Sequence, residues 1–277
     1  SLHAGPPCHT MVTSKLGSAH LPPPVTSTLP LAARVISEGF LPARSALLQG
    51  PVEPVAGLAP PDRIRGMLLA LAIGDALGNT SEGLTAADRE SRYGEITDYL
   101  PNLSADGRRV GLPSDDSQLA FWTVESLLDR GSLDPDDLSA RFASRQIFGL
   151  GHAVAKFLSN RAEGVTPWFR CGAESAGNGA LMRIAPIVLL HPAGTSAALW
   201  LDSALASIVT HRDASSVASC VAFADLLARL LRMQAPPRPG WIIATFLATV
   251  RRVCADQLYR PRGGRFADWE GHYADYL

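Results

Sequence analysis

From Asp62 onward, apolar residues return at every third or fourth position, and this spacing constrains the fold more than any other feature of the chain. Ile64, Met67, Leu68, Leu71 and Ala72 open the pattern after Pro60-Pro61, with Asp62 as the expected N-cap and Gly78 as the expected stop. Gly66 and Gly74 lie inside this helix, where each costs about 1 kcal/mol against alanine unless something needs the backbone close. A second helix is expected from Asp115 or Asp116 to Gly131. A third begins at DPDDLSARF: Asp134 caps, Pro135 takes the first helical position, and Asp136 and Asp137 favour the positive helix end. SAALWLDSALASIV, SSVASCVAFADLLARLL and WIIATFLATVRRVCADQL continue the helical spacing with alanine-rich faces. Alternating segments bounded by turn residues are scarce, and no repeat of solenoid length is present. The expectation is an all-α domain of many packed helices over residues 62–277.

Residues 1–61 differ. They hold eleven of the 21 prolines and only two acids, Glu38 and Glu53. Proline lacks the amide donor and resists regular structure, so this stretch reads as a mostly disordered or loosely attached leader, with room for a short helix over Leu31 to Glu38.

The whole chain of 277 residues is 47% hydrophobic and 18% charged, with a formal charge of -1. That balance carries no basic surplus of the kind nucleic-acid binders need, so no nucleic-acid partner is expected. Apolar runs fall short of the roughly 20 residues of a membrane span, and no secretory signal is readable, so neither a membrane nor export is expected. Cys8, Cys171, Cys220 and Cys254 lie far apart without a C-x-x-C pair, which reads as reduced thiols in a cytoplasmic protein rather than a disulfide framework or a zinc site.

Four short segments could carry chemistry. In GLPSDDSQLAF, Asp115 and Asp116 sit between Ser114 and Ser117 at a helix start. One cap needs one side chain, and a second carboxylate alongside exceeds that need. The pair either caps the helix or, with the serine hydroxyl, supplies three oxygen ligands to a hard cation from one turn. In GDALGNTSEG, Asp75 reads as a solvated acid near a helix end, and Glu82 is either solvated too or stands at a pocket mouth as acid, base or acceptor for a substrate hydroxyl. In ESAGNGALMRIAPI, Gly177 and Gly179 flank Asn178, forming either a plain loop or one whose amides approach a ligand as phosphate-cradling loops do. In IVTHRDASS, His211 follows an apolar helix, where a lone histidine is most often held by the helix dipole. GLGHAV at residue 149 lacks a third glycine and follows no strand, which excludes a dinucleotide fingerprint.

Taken in order, G-D-A-L-G with Glu82, then S-D-D-S, then G-N-G-A-L-M-R, then T-H-R-D resemble the ADP-ribosylglycohydrolase family over residues 62 to roughly 230, with G-N-G-A-L-M-R the most specific piece. The resemblance implies a compact orthogonal bundle of helices with a centre of two Mg²⁺ or Mn²⁺ ions. It implies a hydrolase that cleaves the glycosidic bond of ADP-ribose on a protein side chain or in a related ADP-ribosyl compound. Ser114, Asp115 and Asp116 match the first metal motif, usually T-D-D-T, and Asp115, Asp116 and Glu82 are the expected catalytic acids. Ser175, Gly177, Asn178, Gly179 and Met182 match the loop around the diphosphate and distal ribose, and His211 matches the histidine near the ligand.

One departure stands against this agreement. The family's second metal motif, of the type G-D-T-D-T, is absent; the only D-x-D is Asp134-Pro135-Asp136, and Asp268 and Asp275 are isolated. This reads either as truncation or as true loss of the motif. The second case implies a non-catalytic ADP-ribose or nucleotide binder, or a crystallin-like structural relative.

Overall fold

The structure is a computed structural model that describes residues 28–41, 46–48, 50, 57–254, 258–259 and 270–272. Residues 1–27, with Cys8, and the isolated Asp268 and Asp275 lie outside the described residues, so the leader is seen only in part. Among the described residues there are nine α-helices: α1 (Thr28–Ser37), α2 (Pro61–Gly78), α3 (Ala86–Tyr93), α4 (Asp115–Arg130), α5 (Pro135–Ser144), α6 (His152–Ala162), α7 (Ala197–Ile208), α8 (Ala214–Leu230) and α9 (Trp241–Val253). Two antiparallel two-residue ladders accompany them, β1 (Pro101–Asn102) with β2 (Arg108–Arg109) and β3 (Leu258–Tyr259) with β4 (Gly271–His272). The fold is all-α, as expected.

The centre is α7, in which every residue from Leu199 to Ile208 is buried, packed against α8, which packs in turn on α9. A helix apolar or small on all sides is a core helix, and alanine and serine on α7 and α8 let the two axes approach. Around them Phe142, Phe157, Trp168, Phe169, Ile184, Ile187 and Trp200 close a single core. Asp225 on α8 is fully buried, yet it accepts hydrogen bonds from Trp200 Nε1 and Arg229 Nε, both at 2.8 Å, as well as from Thr195 and Thr249. A carboxylate in the interior is tolerated on such terms, and this one ties α7, α8 and α9 together.

The local start and stop signals act where expected in α4 and α5. Gly131 ends α4 in the left-handed conformation, and the Asp134 side chain accepts the Asp137 amide at 3.0 Å ahead of Pro135. The start of α2 differs: Pro61 is its first residue, and Asp62 lies in the first turn, accepting from Arg65, rather than capping. The stripe Ile64, Met67, Leu68, Leu71 and Ala72 is half-buried against the body, while Leu69 and Ile73 on the other side are exposed. Apart from α2's own backbone, no atom lies within 4 Å of where a Cβ would stand at Gly66 or Gly74, so close approach of another segment is not what these glycines serve among the described residues.

A loosely attached leader does not describe residues 28–41. Ala32 and Val35 of α1, with Leu41 and Leu47, belong to the main core. Glu38 accepts from Arg170 at 2.8 Å, and the Phe40 and Phe169 rings lie 5.2 Å apart. Burying a valine or leucine stabilises by about 1.5–3 kcal/mol, enough for a short amphipathic helix to dock despite prolines on either side.

Candidate active site

The last turn of α2 delivers Asp75 beneath the start of α4. Its Oδ2 accepts the Ser114 amide at 2.7 Å, the Ser117 amide at 3.1 Å and the Ser117 hydroxyl at 2.7 Å, while Oδ1 accepts the Ser114 hydroxyl at 2.6 Å. Asn79 Nδ2 adds a bond to Oδ1 at 3.2 Å and donates to the Leu112 carbonyl at 2.7 Å. Ser114 occupies the N-cap position, but its side chain makes no capping bond. Two amides at this helix start, those of Ser114 and Ser117, are satisfied by a carboxylate from another helix. Asp75 is therefore buried and fully bonded, not a solvated acid, and it is the residue the sequence reading missed. Its signal is a carboxylate between Gly74 and Ala76 at the end of the uncharged run from Gly66.

With the Ser114 and Ser117 amides taken by Asp75, the Asp115 and Asp116 carboxylates, each beside its own amide, line the cavity. Asp115 is 6% exposed and Asp116 half-buried, so neither turns out into bulk solvent. The segment at Gly149–Gly151, set aside above only as a dinucleotide loop, packs onto Asp115. Gly149 has φ +79, and a Cβ there would stand 3.0 Å from Ser114 Cβ and 3.3 Å from Asp115 Oδ1. The Gly151 amide bonds the Asp115 carboxylate.

Burial opposes charge on Asp75, but the bonds from Ser114 and Ser117 together hold it ionised below the usual range. Its neighbours go the other way. Asp115 is raised by burial, against the Gly151 amide and with help from Glu82 and Asp75. Asp116 is pushed up to about 6 by burial first, then by the charges of Asp75, Asp115 and Glu82. Among the described residues, no lysine or arginine pairs with any of these four acids. Asp115 and Asp116, crowded carboxylates that resist ionisation without a counter-charge, are the kind of oxygen donor a hard cation takes.

The glycine segment forms the facing wall. Ser175 Oγ accepts the Gly177 amide at 3.1 Å, and the Met182 amide bonds the Asn178 carbonyl at 3.0 Å. His211 is held behind it by the pairing of its strand-like backbone with Ala173. A Cβ on Gly179 would lie 2.8 Å from His211 Cε1, so only glycine fits between the ring and the cavity. A charged histidine stabilised at a helix end does not describe His211. It is 1% exposed, and burial, followed by the nearby Arg183 charge, lowers it to about 4, which makes it a neutral ring.

One cavity of about 530 Å³ gathers every site residue expected from sequence: Glu82, Ser114, Asp115, Asp116, Ser175, Gly177, Asn178, Gly179, Met182 and His211. Asp75, Asn79, Arg89, Gly149, Gly151 and His152 also line it. A more apolar cleft of about 700 Å³ adjoins it between α2 and α8, sharing Asp116, Asn178 and Met182. Among the described residues, no group of three or more His, Cys, Asp and Glu side chains is arranged to hold a metal.

The sequence model of ADP-ribosylglycohydrolase matches residues 57–273. ADP-ribosyl-[dinitrogen reductase] glycohydrolase of Rhodospirillum rubrum is 29% identical over 177 residues, which cover 61% of this chain and 58% of that protein. ADP-ribosylarginine hydrolase Tri1 of Pseudomonas putida (strain GB-1) is 30% identical over 173 residues, covering 57% and 44%. A solved structure of an ADP-ribosylglycohydrolase-related protein complex aligns with a TM-score of 0.52 and 31% identity, over 68% of this chain and 60% of that one. The chain spans about half the length of the curated relatives it matches. With the motifs on one cavity and the family match running through them, this chain belongs to the ADP-ribosylglycohydrolase family.

Proposed function

We propose that this chain carries a hydrolase site that cleaves the N- or O-glycosidic bond of ADP-ribose attached to a protein side chain or held in a related ADP-ribosyl compound. The observation that carries this reading is the Asp75 clamp. By satisfying the start of α4 it leaves Asp115 and Asp116 facing the cavity opposite the glycine segment. Relatives named for hydrolysis of ADP-ribosylarginine and of ADP-ribosyl-dinitrogen reductase support the reaction class.

Ser114, Asp115 and Asp116 would hold one Mg²⁺ or Mn²⁺ ion. The fit is chemical: two carboxylates and a hydroxyl whose hydrogen is already given to Asp75, leaving its lone pairs available. Among the described residues no group of three or more His, Cys, Asp and Glu side chains stands at this place or at a second one, so the donors of the first ion would be two carboxylates and a hydroxyl alone. A bound ion there would act as a Lewis acid that polarises the sugar and orients water.

The protein's own groups do the rest. Glu82, at the cavity mouth, orients a ribose hydroxyl or accepts its proton. Amides of the Gly177–Gly179 segment receive the diphosphate, which requires no basic side chains and agrees with the near-neutral charge. Carboxylates beside the anomeric carbon stabilise an oxocarbenium-like state.

Release of ADP-ribose from arginine-linked and serine-linked peptides, with Mg²⁺ or Mn²⁺ and with EDTA, tests this. Cation-dependent release is expected, and no release under any condition rejects the catalytic reading. The absence of a complete metal group among the described residues favours one other reading, an ADP-ribose-binding module. Thermal stabilisation by ADP-ribose without turnover is its signature.

A further inference from the structure

We propose that Arg183 and Thr210 are positioning residues that fix His211 as the Nε2–H tautomer, so that its ring offers a donor to an anionic oxygen of the ligand. The inference deepens the ADP-ribosyl reading of the cavity and rests on it for the ligand's identity.

Arg183 closes the glycine segment and is wholly buried, its guanidinium 4.9 Å from the centre of the Phe142 ring. Its Nη2 donates to the Ala206 carbonyl at 3.0 Å and to Thr210 Oγ1 at 2.7 Å. No carboxylate pairs with it among the described residues, and Nε and Nη1 have no hydrogen-bond partner there. An unpaired guanidinium in a core is costly, so its presence asks for a role.

A guanidinium only donates, so Thr210 Oγ1 is the acceptor in their bond. The other contact of that oxygen is His211 Nδ1 at 2.9 Å. Thr210 is fully buried, and its hydroxyl hydrogen has no other acceptor among the described residues. Were Nδ1 protonated, that hydrogen would be left unpaired in the interior. The hydroxyl therefore donates to Nδ1, and the ring hydrogen resides on Nε2. The guanidinium also polarises the Thr210 hydroxyl, strengthening it as a donor.

Nε2 points where a ligand would be. A Cβ would stand 3.0 Å from it at Gly179 and 3.7 Å from it at Gly177, and His211 lines the cavity. No protein group accepts its hydrogen among the described residues. The opposite tautomer would turn a lone pair toward the diphosphate and repel it.

Long-range ¹H–¹⁵N correlation of the imidazole rings reads the tautomer directly, with His211 assigned by its loss in His211→Gln. The Nε2–H pattern is expected in the unaltered protein; an Nδ1–H pattern there overturns the proposal without needing any variant. Thr210→Val removes the hydroxyl at nearly constant shape. It is expected to mix the tautomers and weaken ADP-ribose binding about tenfold or more, with both restored in Thr210→Ser. An unchanged tautomer or unchanged affinity in Thr210→Val also overturns it. If the tautomer responds while ADP-ribose binds neither protein, the relay stands and the ADP-ribosyl reading fails.

Discussion

Asp75 caps a helix it does not belong to: its carboxylate takes both the amide of Ser114, at 2.7 Å, and its hydroxyl, at 2.6 Å, across 39 positions of chain. The clamp welds the end of α2 to the start of α4 and sets the direction of the two acids that follow. An amide cannot accept all of these bonds. Asp75→Asn is therefore expected to destabilise by about 1–3 kcal/mol in urea unfolding and to lose any Mg²⁺-dependent stabilisation. An unchanged midpoint and an unchanged cation response would show that the clamp is dispensable.

Asp116→Asn is expected to do the opposite in the absence of cations. The folded state raises Asp116 from 3.8 to about 6, so its favourable contribution is fully present below about 4 and lost as pH rises through 6. At pH 7 the ionised side chain is a burden on the order of 2 kcal/mol, which asparagine removes. Chemical unfolding in EDTA at pH 7 should show the variant more stable than the unaltered protein. Excess Mg²⁺ should reverse the order, because only the unaltered protein gains a counter-charge. A less stable variant in EDTA contradicts the crowding of the acids.

His211 acts in the contrary sense over an overlapping range. Its folded state lies at about 4 against an ordinary 6.5, so the unfolded chain binds a proton first and stability falls as pH drops from 6.5 toward 4. One such group contributes a slope of up to about 1.4 kcal/mol per pH unit. Because Asp116 gains stability over much of the same interval, the contributions of these two groups oppose one another there. Comparison of unfolding at pH 4.5 and 7 should show the change in stability on acidification to be more favourable in His211→Gln than in the unaltered protein. Identical profiles would mean that the ring is not held neutral.

Two glycine substitutions should part company. Gly179→Ala places a methyl group 2.8 Å from His211 Cε1, on a ring already pinned by Thr210, so ADP-ribose binding should fall at least tenfold by about the loss of one charge-assisted contact. Gly66→Ala meets no atom within 4 Å on an exposed face of α2 and should stabilise by about 0.5–1 kcal/mol with binding unchanged. Equal effects from the two would remove the argument that the glycine segment is shaped by His211.

How much was legible beforehand follows from the range of the forces concerned. The start of helix α5 is readable because Asp134, Pro135 and the Asp137 amide are neighbours in sequence. The end of α4 at Gly131 was readable for the same reason. The motifs at Glu82, Ser114–Asp116, Ser175–Met182 and His211 were found in order along the chain, and they line one cavity. Asp75 was misread because its partners, Ser114 and Ser117, lie 39 and 42 residues away. The docking of α1 was underestimated because proline content speaks of local backbone preference and not of the Phe169 surface that receives it.

By itself, then, the order of residues determined which segments become helices and which short motifs mark the family, since propensity, capping and spacing act within a few positions. Only the tertiary structure decided what those motifs do to one another. It gave the Ser114 and Ser117 amides to Asp75, raised the affinity of Asp115 and Asp116 for protons and kept His211 neutral behind Gly179. Desolvation and hydrogen bonding between distant segments depend on which groups meet in space, and the packing of α2, α4 and the ends of α7 and α8 is what makes them meet.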